Sequence, residues 1–155
     1  MKYCKTYILI LLICLCFSAC DRQQYVTNTY CTISDEGWSY FDTLNYSFNA
    51  DDTNGEYNVY LNIIHNNEYK YRNLFLFTQL YLPDSTCICD TVQLVLCDPS
   101  GNLLGKGVGE TKEAKFLISE DFTFQWTGNH ELKIIQGMRD ERIYGIEKIG
   151  FTISK

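Results

Sequence analysis

Residues 57–63 read YNVYLNI, and their strict alternation decides the fold class. One set of alternate positions is apolar or aromatic and comprises Tyr57, Val59, Leu61 and Ile63. The intervening positions are Asn58, Tyr60 and Asn62. Because successive side chains of an extended chain point to opposite faces, this period of two predicts a half-buried β-strand.

The same period recurs along most of the chain. Further candidate strands lie at residues 41–48, 74–82, 91–96, 114–118, 122–126, 130–138 and 146–153, with Leu44, Tyr46 and Phe48 on one face of the first. Turn-forming stretches such as DDTNGE, DPSG and TGNH separate them, and no long segment has a helical period. We therefore predict an all-β fold, a single jelly-roll-like β-sandwich over residues 35–155.

The first twenty residues, MKYCKTYILILLICLCFSAC, have the layout of an export signal. Lys2 and Lys5 make the start basic, and an apolar run follows over residues 6–17. A transmembrane helix needs about 18 or more apolar residues, so this run is too short to predict a permanent membrane span. We predict that residues 1–19 are a signal peptide that is removed.

The signal ends in Phe17-Ser18-Ala19-Cys20, which resembles a bacterial lipobox with Phe in place of the usual Leu. Cleavage between Ala19 and Cys20 leaves Cys20 as the mature N-terminus, whose thiol accepts diacylglycerol, with palmitate among the acyl chains. More than one acyl chain is needed for stable anchoring. Residues 20–34 are then the lipidated N-terminus and a polar tether. The alternative is an export signal followed by an incidental cysteine.

The charge balance excludes one class of partner. Removing residues 1–19 takes two lysines from the 13 basic residues, which leaves 11 against 19 acidic residues, a formal charge of −8. Nucleic-acid binding requires clustered basic residues, so we predict no nucleic-acid partner. Anionic lipid headgroups will not attract this chain either, and membrane attachment must come from the lipid on Cys20.

Four cysteines remain after the signal peptide and Cys20: Cys31, Cys87, Cys89 and Cys97. An exported compartment permits disulfides, and four cysteines allow three pairings among which the sequence does not choose. The alternative is that they are small buried apolar side chains. The Cys-x-Cys spacing matches neither a redox pair nor paired zinc ligands, so we predict no metal site.

Residues 98–110, DPSGNLLGKGVGE, look at first like a phosphate-binding loop. A P-loop requires four residues between its first two glycines and Ser or Thr after the lysine, whereas only three residues lie between Gly101 and Gly105, and Gly107 follows Lys106. No helix is predicted after the loop to hold an anion. We predict a type I turn over residues 98–101, a bent strand beyond it and no nucleotide binding.

Catalytic patterns are missing from the sequence. The two histidines, His65 and His130, lie in separate candidate strands without a metal-ligand spacing. No Gly-x-Ser-x-Gly elbow and no cysteine-protease pattern occurs. We therefore expect no enzymatic activity, no catalytic residue and no cofactor besides the covalent lipid at Cys20.

Four stretches carry a family resemblance. They are Asp98-x-x-Gly101-x-Leu103-Leu104-Gly105-Lys106-Gly107-x-Gly109, residues 38–48 (WSYFDTLNYSF), Tyr69-x-Tyr71-x-Asn73-Leu74-x-Leu76-Phe77, and the closing segment from Met138-Arg139 to Ile149-Gly150. Taken in chain order (38–48, 69–77, 98–109 and 138–150) and with the lipobox, they resemble segments of the GldH family, the gliding-motility-associated lipoproteins of gliding bacteria.

The resemblance implies a lipid-anchored protein of the cell envelope, in the gliding machinery that is associated with type IX secretion. Such a protein would act by contact with other envelope proteins. A charged segment, residues 139–142, interrupts two apolar strands within the resembling region. We predict that Arg139, Asp140 and Arg142 belong to a partner-binding surface. The alternative is an ordinary solvated loop.

A second functional hypothesis is a glycan-binding module of the envelope. Exported β-sandwiches can hold sugars on exposed aromatic rings, and this chain has 12 tyrosines and two tryptophans. The candidate stacking residues are Trp38, Tyr69, Tyr71 and Trp126. The alternative is that these rings line the core and cross-strand pairs, and their exposure distinguishes the two.

Overall fold

The structure is a computed structural model that describes residues 25–155, so the predicted signal peptide and Cys20 lie outside the described residues. Ten strands follow one another: β1 (Tyr25–Thr32), β2 (Trp38–Ser39), β3 (Leu44–Ala50), β4 (Tyr57–His65), β5 (Asn73–Tyr81), β6 (Cys87–Val95), β7 (Lys112–Phe122), β8 (Gly128–Gln136), β9 (Arg142–Ile143) and β10 (Ile146–Ser154). Within the described part of the chain, no helix is long and apolar enough to cross a membrane.

The eight long strands form two antiparallel sheets. The first has the order β1-β10-β4-β7, the second has the order β3-β8-β5-β6, and β2 pairs with β9 in a short ribbon. Consecutive long strands pass from one sheet to the other, except for the hairpin of β5 and β6. This is the topology of a jelly roll, and the predicted all-β sandwich is confirmed.

The core lies between the two sheets, where the alternating side chains of each strand meet. Tyr46 and Phe48 of β3 face Ile149 and Phe151 of β10: the Tyr46 hydroxyl donates a hydrogen bond to the Ile149 carbonyl at 2.8 Å, and the rings of Phe48 and Phe151 are 5.4 Å apart. These contacts also align the sheets, so β3 and β10 run in the same direction. Leu61 and Ile63 of the 57–63 stretch are buried, as the alternation predicts.

Several strand ends are shifted by a few residues from the sequence analysis, and two of its assignments are wrong. Tyr25–Thr32, which we assigned to the tether, forms β1 and pairs with β10 over its length. Its polar outward positions hid the strand, because an edge strand buries only part of one face. Residues 122–126 do not form a strand of their own, since β7 ends at Phe122 and the chain then turns toward β8.

The glycine segment, residues 98–110, forms a turn and a bent return to β7. The Gly101 amide donates to the Asp98 carbonyl at 3.1 Å, as in the predicted turn. Lys106 and Glu113 exchange both backbone hydrogen bonds at 2.8 Å. Gly105 has a φ of +119°, and a Cβ there would lie 2.5 Å from the Glu113 carbonyl oxygen. Backbone geometry therefore accounts for a glycine at this position.

Candidate partner-binding site

A shallow depression lies on the outer face of the second sheet, where β5 begins and β8 ends. Its volume is about 360 Å³, and its lining consists of Tyr71, Phe75, Phe77, Thr91, Gly137, Met138 and Arg139. Leu74 and Leu76 of β5 are buried in the core, so alternation turns Phe75 and Phe77 outward. Phe77 is 49% exposed, which is uncommon for a phenylalanine.

Backbone pairing and one buried amide hold the depression in shape. The Gly137 amide donates to the Phe75 carbonyl at 2.7 Å, which extends the pairing of β8 with β5. The buried Gln136 accepts a hydrogen bond from the Met138 amide at 2.7 Å and donates to the Asp140 carbonyl at 3.0 Å. The turn that presents Arg139 is therefore fixed by the side chain of Gln136, which sequence reasoning did not single out.

The three charged residues that we predicted for partner binding have different surroundings. The carboxylate of Asp140 accepts a hydrogen bond from the Tyr71 hydroxyl, and this bond raises the pKa of Tyr71. The guanidinium of Arg142 donates to the carbonyls of Glu36 and Gly37 at 3.2 and 3.1 Å. Among the described residues, no hydrogen bond or ion pair engages the exposed guanidinium of Arg139.

This surface has the composition of a protein contact. Aromatic residues, Met and Arg are enriched at the centres of protein interfaces, and an exposed cluster of large apolar side chains is uncommon elsewhere. Phe77, Met138 and Arg139 combine these types around one depression. Arg142, in contrast, donates to two carbonyls of the turn before β2, and its partner-binding role stays a prediction.

The four rings proposed for glycan stacking do not form one exposed row. Trp38 and Tyr69 are buried, and their polar atoms are used internally: the Trp38 indole donates to the Asp42 carbonyl at 2.9 Å, and the Tyr69 hydroxyl donates to the Asn73 carbonyl at 2.8 Å. Of the four rings, only Tyr71 and Trp126 reach the surface. Tyr71 lies in the loop between β4 and β5, and Trp126 lies in the loop between β7 and β8. The structure therefore contradicts the stacking role of Trp38 and Tyr69.

The cysteines and histidines also have structural surroundings. All four cysteines of the described chain are free thiols, with Cys97 buried and Cys87 and Cys89 exposed on one face of β6, their sulfurs 3.7 Å apart. The interpretation of the cysteines as small buried apolar side chains therefore fits Cys97 but not Cys87 and Cys89. His65 and His130 are buried in different strands. Within residues 25–155, no three potential metal ligands come together.

Solved structures that match most of this chain come from a virus. A chain of infectious bursal disease virus Gt strain is 12% identical with a TM-score of 0.36, and the VP2 subviral particle of that virus is 14% identical with a TM-score of 0.35. Each match covers 86% of this chain, which spans about a third of the viral chains. These values are too low to support any conclusion about function.

Curated relatives match over nearly their full length. The chain is 33% identical over 146 residues to the gliding motility lipoprotein GldH homolog of Christiangramia forsetii, covering 90% of this chain and 88% of the relative. It is 29% identical over 162 residues to the gliding motility lipoprotein GldH of Flavobacterium johnsoniae. This match covers 100% of this chain and 99% of the relative. The sequence pattern described as GldH lipoprotein matches residues 25–153, and the chain belongs to this family.

Proposed function

We propose that this protein is a non-enzymatic component of gliding-motility machinery associated with type IX secretion, and that it works by binding another envelope protein. Its family makes it a membrane-anchored lipoprotein of the cell envelope. The observation that carries the binding role is the exposed Arg139 beside Phe77 and Met138, in a depression fixed by backbone pairing. No cofactor takes part in this function.

The position of β1 supports a short anchor. Strand β1 begins at Tyr25, and five residues of extended chain span at most about 17 Å. With the lipid on Cys20, the Tyr25 end of the sandwich therefore stays close to the membrane surface. The 14-residue tether that we predicted would have allowed far more freedom.

The depression lies at the other end of the sandwich. Tyr25 pairs with Ser154 at the end of β10, and β3 runs in the direction of β10. Because β8 is antiparallel to β3, its last residue, Gln136, lies away from the Tyr25 end. A strand of nine residues is about 30 Å long, so Arg139 faces a partner that approaches from the side away from the membrane.

The burial of both histidines supports a non-enzymatic role. His65 and His130 are at most 1% exposed, so neither ring can reach a substrate at the surface. The His130 ring stacks on Phe48 with centroids 5.3 Å apart, as a core residue does. We infer that these side chains contribute to packing.

Affinity purification of the tagged protein from membranes tests the proposal. Arg139→Ala should remove co-purifying gliding or secretion proteins while the melting temperature stays unchanged. Arg139→Lys should also weaken the association, because lysine keeps the charge but lacks the planar fork of donors that holds a carboxylate. Lys70→Ala is the matched control, since Lys70 is exposed and lies outside the depression.

Retention of every partner by Arg139→Ala would refute the role of this residue. Loss of partners in Lys70→Ala as well would show that the surface contact is not specific. If neither variant nor the wild-type chain co-purifies with a gliding or secretion component, the proposed function itself fails.

A further inference from the structure

A second concave surface lies on the outer face of the first sheet, opposite to the depression around Arg139. This trough has a volume of about 740 Å³ and crosses β1, β10, β4 and β7, with the glycine segment at its rim. It is within the size range of ligand sites. Among its lining residues are Tyr25, Asn28, Tyr30, Asn62, Lys115 and Thr152.

The floor of the trough is a row of polar side chains. The Asn62 side-chain amide donates to the Thr152 hydroxyl at 2.8 Å, and that hydroxyl donates to the side-chain Oδ1 of Asn28 at 2.9 Å. Asn62 and Thr152 are each only 3% exposed, although they lie on the outward side of the sheet. These hydrogen bonds satisfy the two buried side chains and hold the side chain of Asn28, which is exposed and lines the trough where a ligand can reach it.

Two tyrosine rings of β1 line the trough. Tyr25 and Tyr30 are 46% and 39% exposed and lie on the same strand. An odd separation would normally place them on opposite faces, but an irregularity of register between Tyr25 and Thr27 brings both rings to the outward side. A bulge in an edge strand therefore positions two aromatic rings beside a polar floor.

The Tyr30 ring is held in place. Its hydroxyl donates to the Glu113 carboxylate at 2.7 Å, and its ring covers Gly150, where an added Cβ would lie 2.5 Å from a ring carbon. Burial and this hydrogen bond raise the pKa of Tyr30 to about 12. On the other side of the trough, the ammonium of Lys115 lies 3.8 Å from the centre of the Tyr60 ring.

We propose that this trough binds an oligosaccharide of the cell envelope. A pyranose ring presents C–H groups on its faces, which pack on exposed tyrosine rings, and hydroxyl groups at its edge, which exchange hydrogen bonds with amides and hydroxyls. Tyr25 and Tyr30 supply the rings, and the exposed side chains of Asn28, Glu113 and Lys115 supply the polar groups. The charges of Lys106, Lys115 and Glu113 nearly balance, which favours a neutral or weakly acidic glycan.

The backbone of the trough disfavours an extended peptide. A peptide that adds to a sheet requires unpaired backbone groups at an edge, whereas β10 and β4, which cross the centre of the trough, are paired on both sides. A hydrogen-bonded polar floor also lacks the apolar pockets that alternate side chains of a peptide require. The site uses neither Arg139 nor the rings proposed from the sequence, so it goes beyond the proposed function.

Binding should be measured on the full chain purified from membranes in a detergent without a sugar headgroup. The probes are cellohexaose, laminarihexaose, maltohexaose and mannohexaose by calorimetry, and polysaccharide released from the envelope by affinity electrophoresis. We expect saturable binding of at least one probe. Tyr30→Ala should weaken it about tenfold or more, as the loss of a stacking ring does.

Two matched variants complete the experiment. Tyr40 is 39% exposed, like Tyr30, but lies outside the trough, so Tyr40→Ala should bind normally. Tyr30→Phe keeps the ring and should retain most of the binding, which separates stacking from loss of the Glu113 contact. The proposal is overturned if no probe binds, if Tyr30→Ala binds like the wild type with an unchanged melting temperature, or if Tyr40→Ala weakens binding equally. None of these results depends on protein partners.

Discussion

The imidazole of His65 donates a hydrogen bond from Nε2 to the carbonyl of Leu104, at 3.0 Å, and so ties β4 to the glycine segment. The carbonyl can only accept, which assigns the proton to Nε2. Within the described chain, the other ring nitrogen, Nδ1, is buried without a hydrogen-bond partner. A protonated ring would bury an unsatisfied N–H at this position, so the fold requires the neutral form.

Stability should therefore fall as the pH falls through the ordinary range of histidine. Burial lowers the pKa of His65 in the folded state, whereas the unfolded chain titrates near 6.5. Below about 6.5 the unfolded state binds more protons, and the free energy of unfolding decreases until the folded pKa is reached. Urea unfolding between pH 8 and 5 measures this loss. In His65→Gln the pH dependence should be smaller, although stability at pH 8 is also lower.

The glycine segment gives a second prediction, which separates backbone geometry from a ligand role. Gly105→Val should destabilise the fold by about 1–2 kcal/mol or more, because valine is strained at positive φ and its Cβ would clash with the Glu113 carbonyl. Lys106→Ala should leave stability nearly unchanged, since Lys106 pairs through its backbone. Urea midpoints compare the two. Specific nucleotide binding that Lys106→Ala abolishes would contradict the prediction.

Lipid attachment gives a third prediction. Cys20→Ala should leave the protein soluble or as an uncleaved precursor, because the acyl chains provide the membrane affinity of an acidic chain. Cys31→Ala is the control, as Cys31 lies within β1 and should be processed normally. Membrane fractionation and the mass of the mature N-terminus measure both. Full processing and membrane retention of Cys20→Ala would refute the lipid anchor.

The strands were predictable because burial imposes a period of two. Tyr46 and Phe48 alternate with polar residues for the same reason that they meet Phe151 in the core. The edge strand β1 was missed since most of its residues are polar, and an edge strand buries only part of one face. Partial burial thus weakens the alternation by which a strand is recognised.

The candidate sites were less predictable. Arg139 stands out as part of a charged run, but the sequence does not show that Arg142 folds back onto Gly37 while Arg139 stays exposed. Aromatic residues give no indication of their own exposure, so the sequence analysis selected Trp38, which is buried, and not Tyr30, which is exposed. The exposure of a ring depends on long-range strand pairing and, for Tyr25, on the bulge between Tyr25 and Thr27. Local composition predicts neither.

The exposed pair Cys87 and Cys89 gives the last prediction, that the two thiols do not form a disulfide with each other. Two residues of extended strand separate their Cα atoms by about 6.7 Å, at the upper limit for a disulfide, so bonding would require β6 to shorten and to break its pairing with β5.

Alkylation of the native protein should therefore label the exposed Cys87 and Cys89 faster than Cys97, with Cys89 slowed because its hydrogen bond with Cys87 raises the pKa of its thiol. Cys97 should react slowly, because it is buried and burial raises the pKa of its thiol, which lowers the fraction of reactive thiolate. The rate at Cys97 should rise with pH and on unfolding in urea. Mass spectrometry of peptides resolves the sites, and a Cys87–Cys89 peptide that takes up label only after reduction would show that the strand distorts to form the bond.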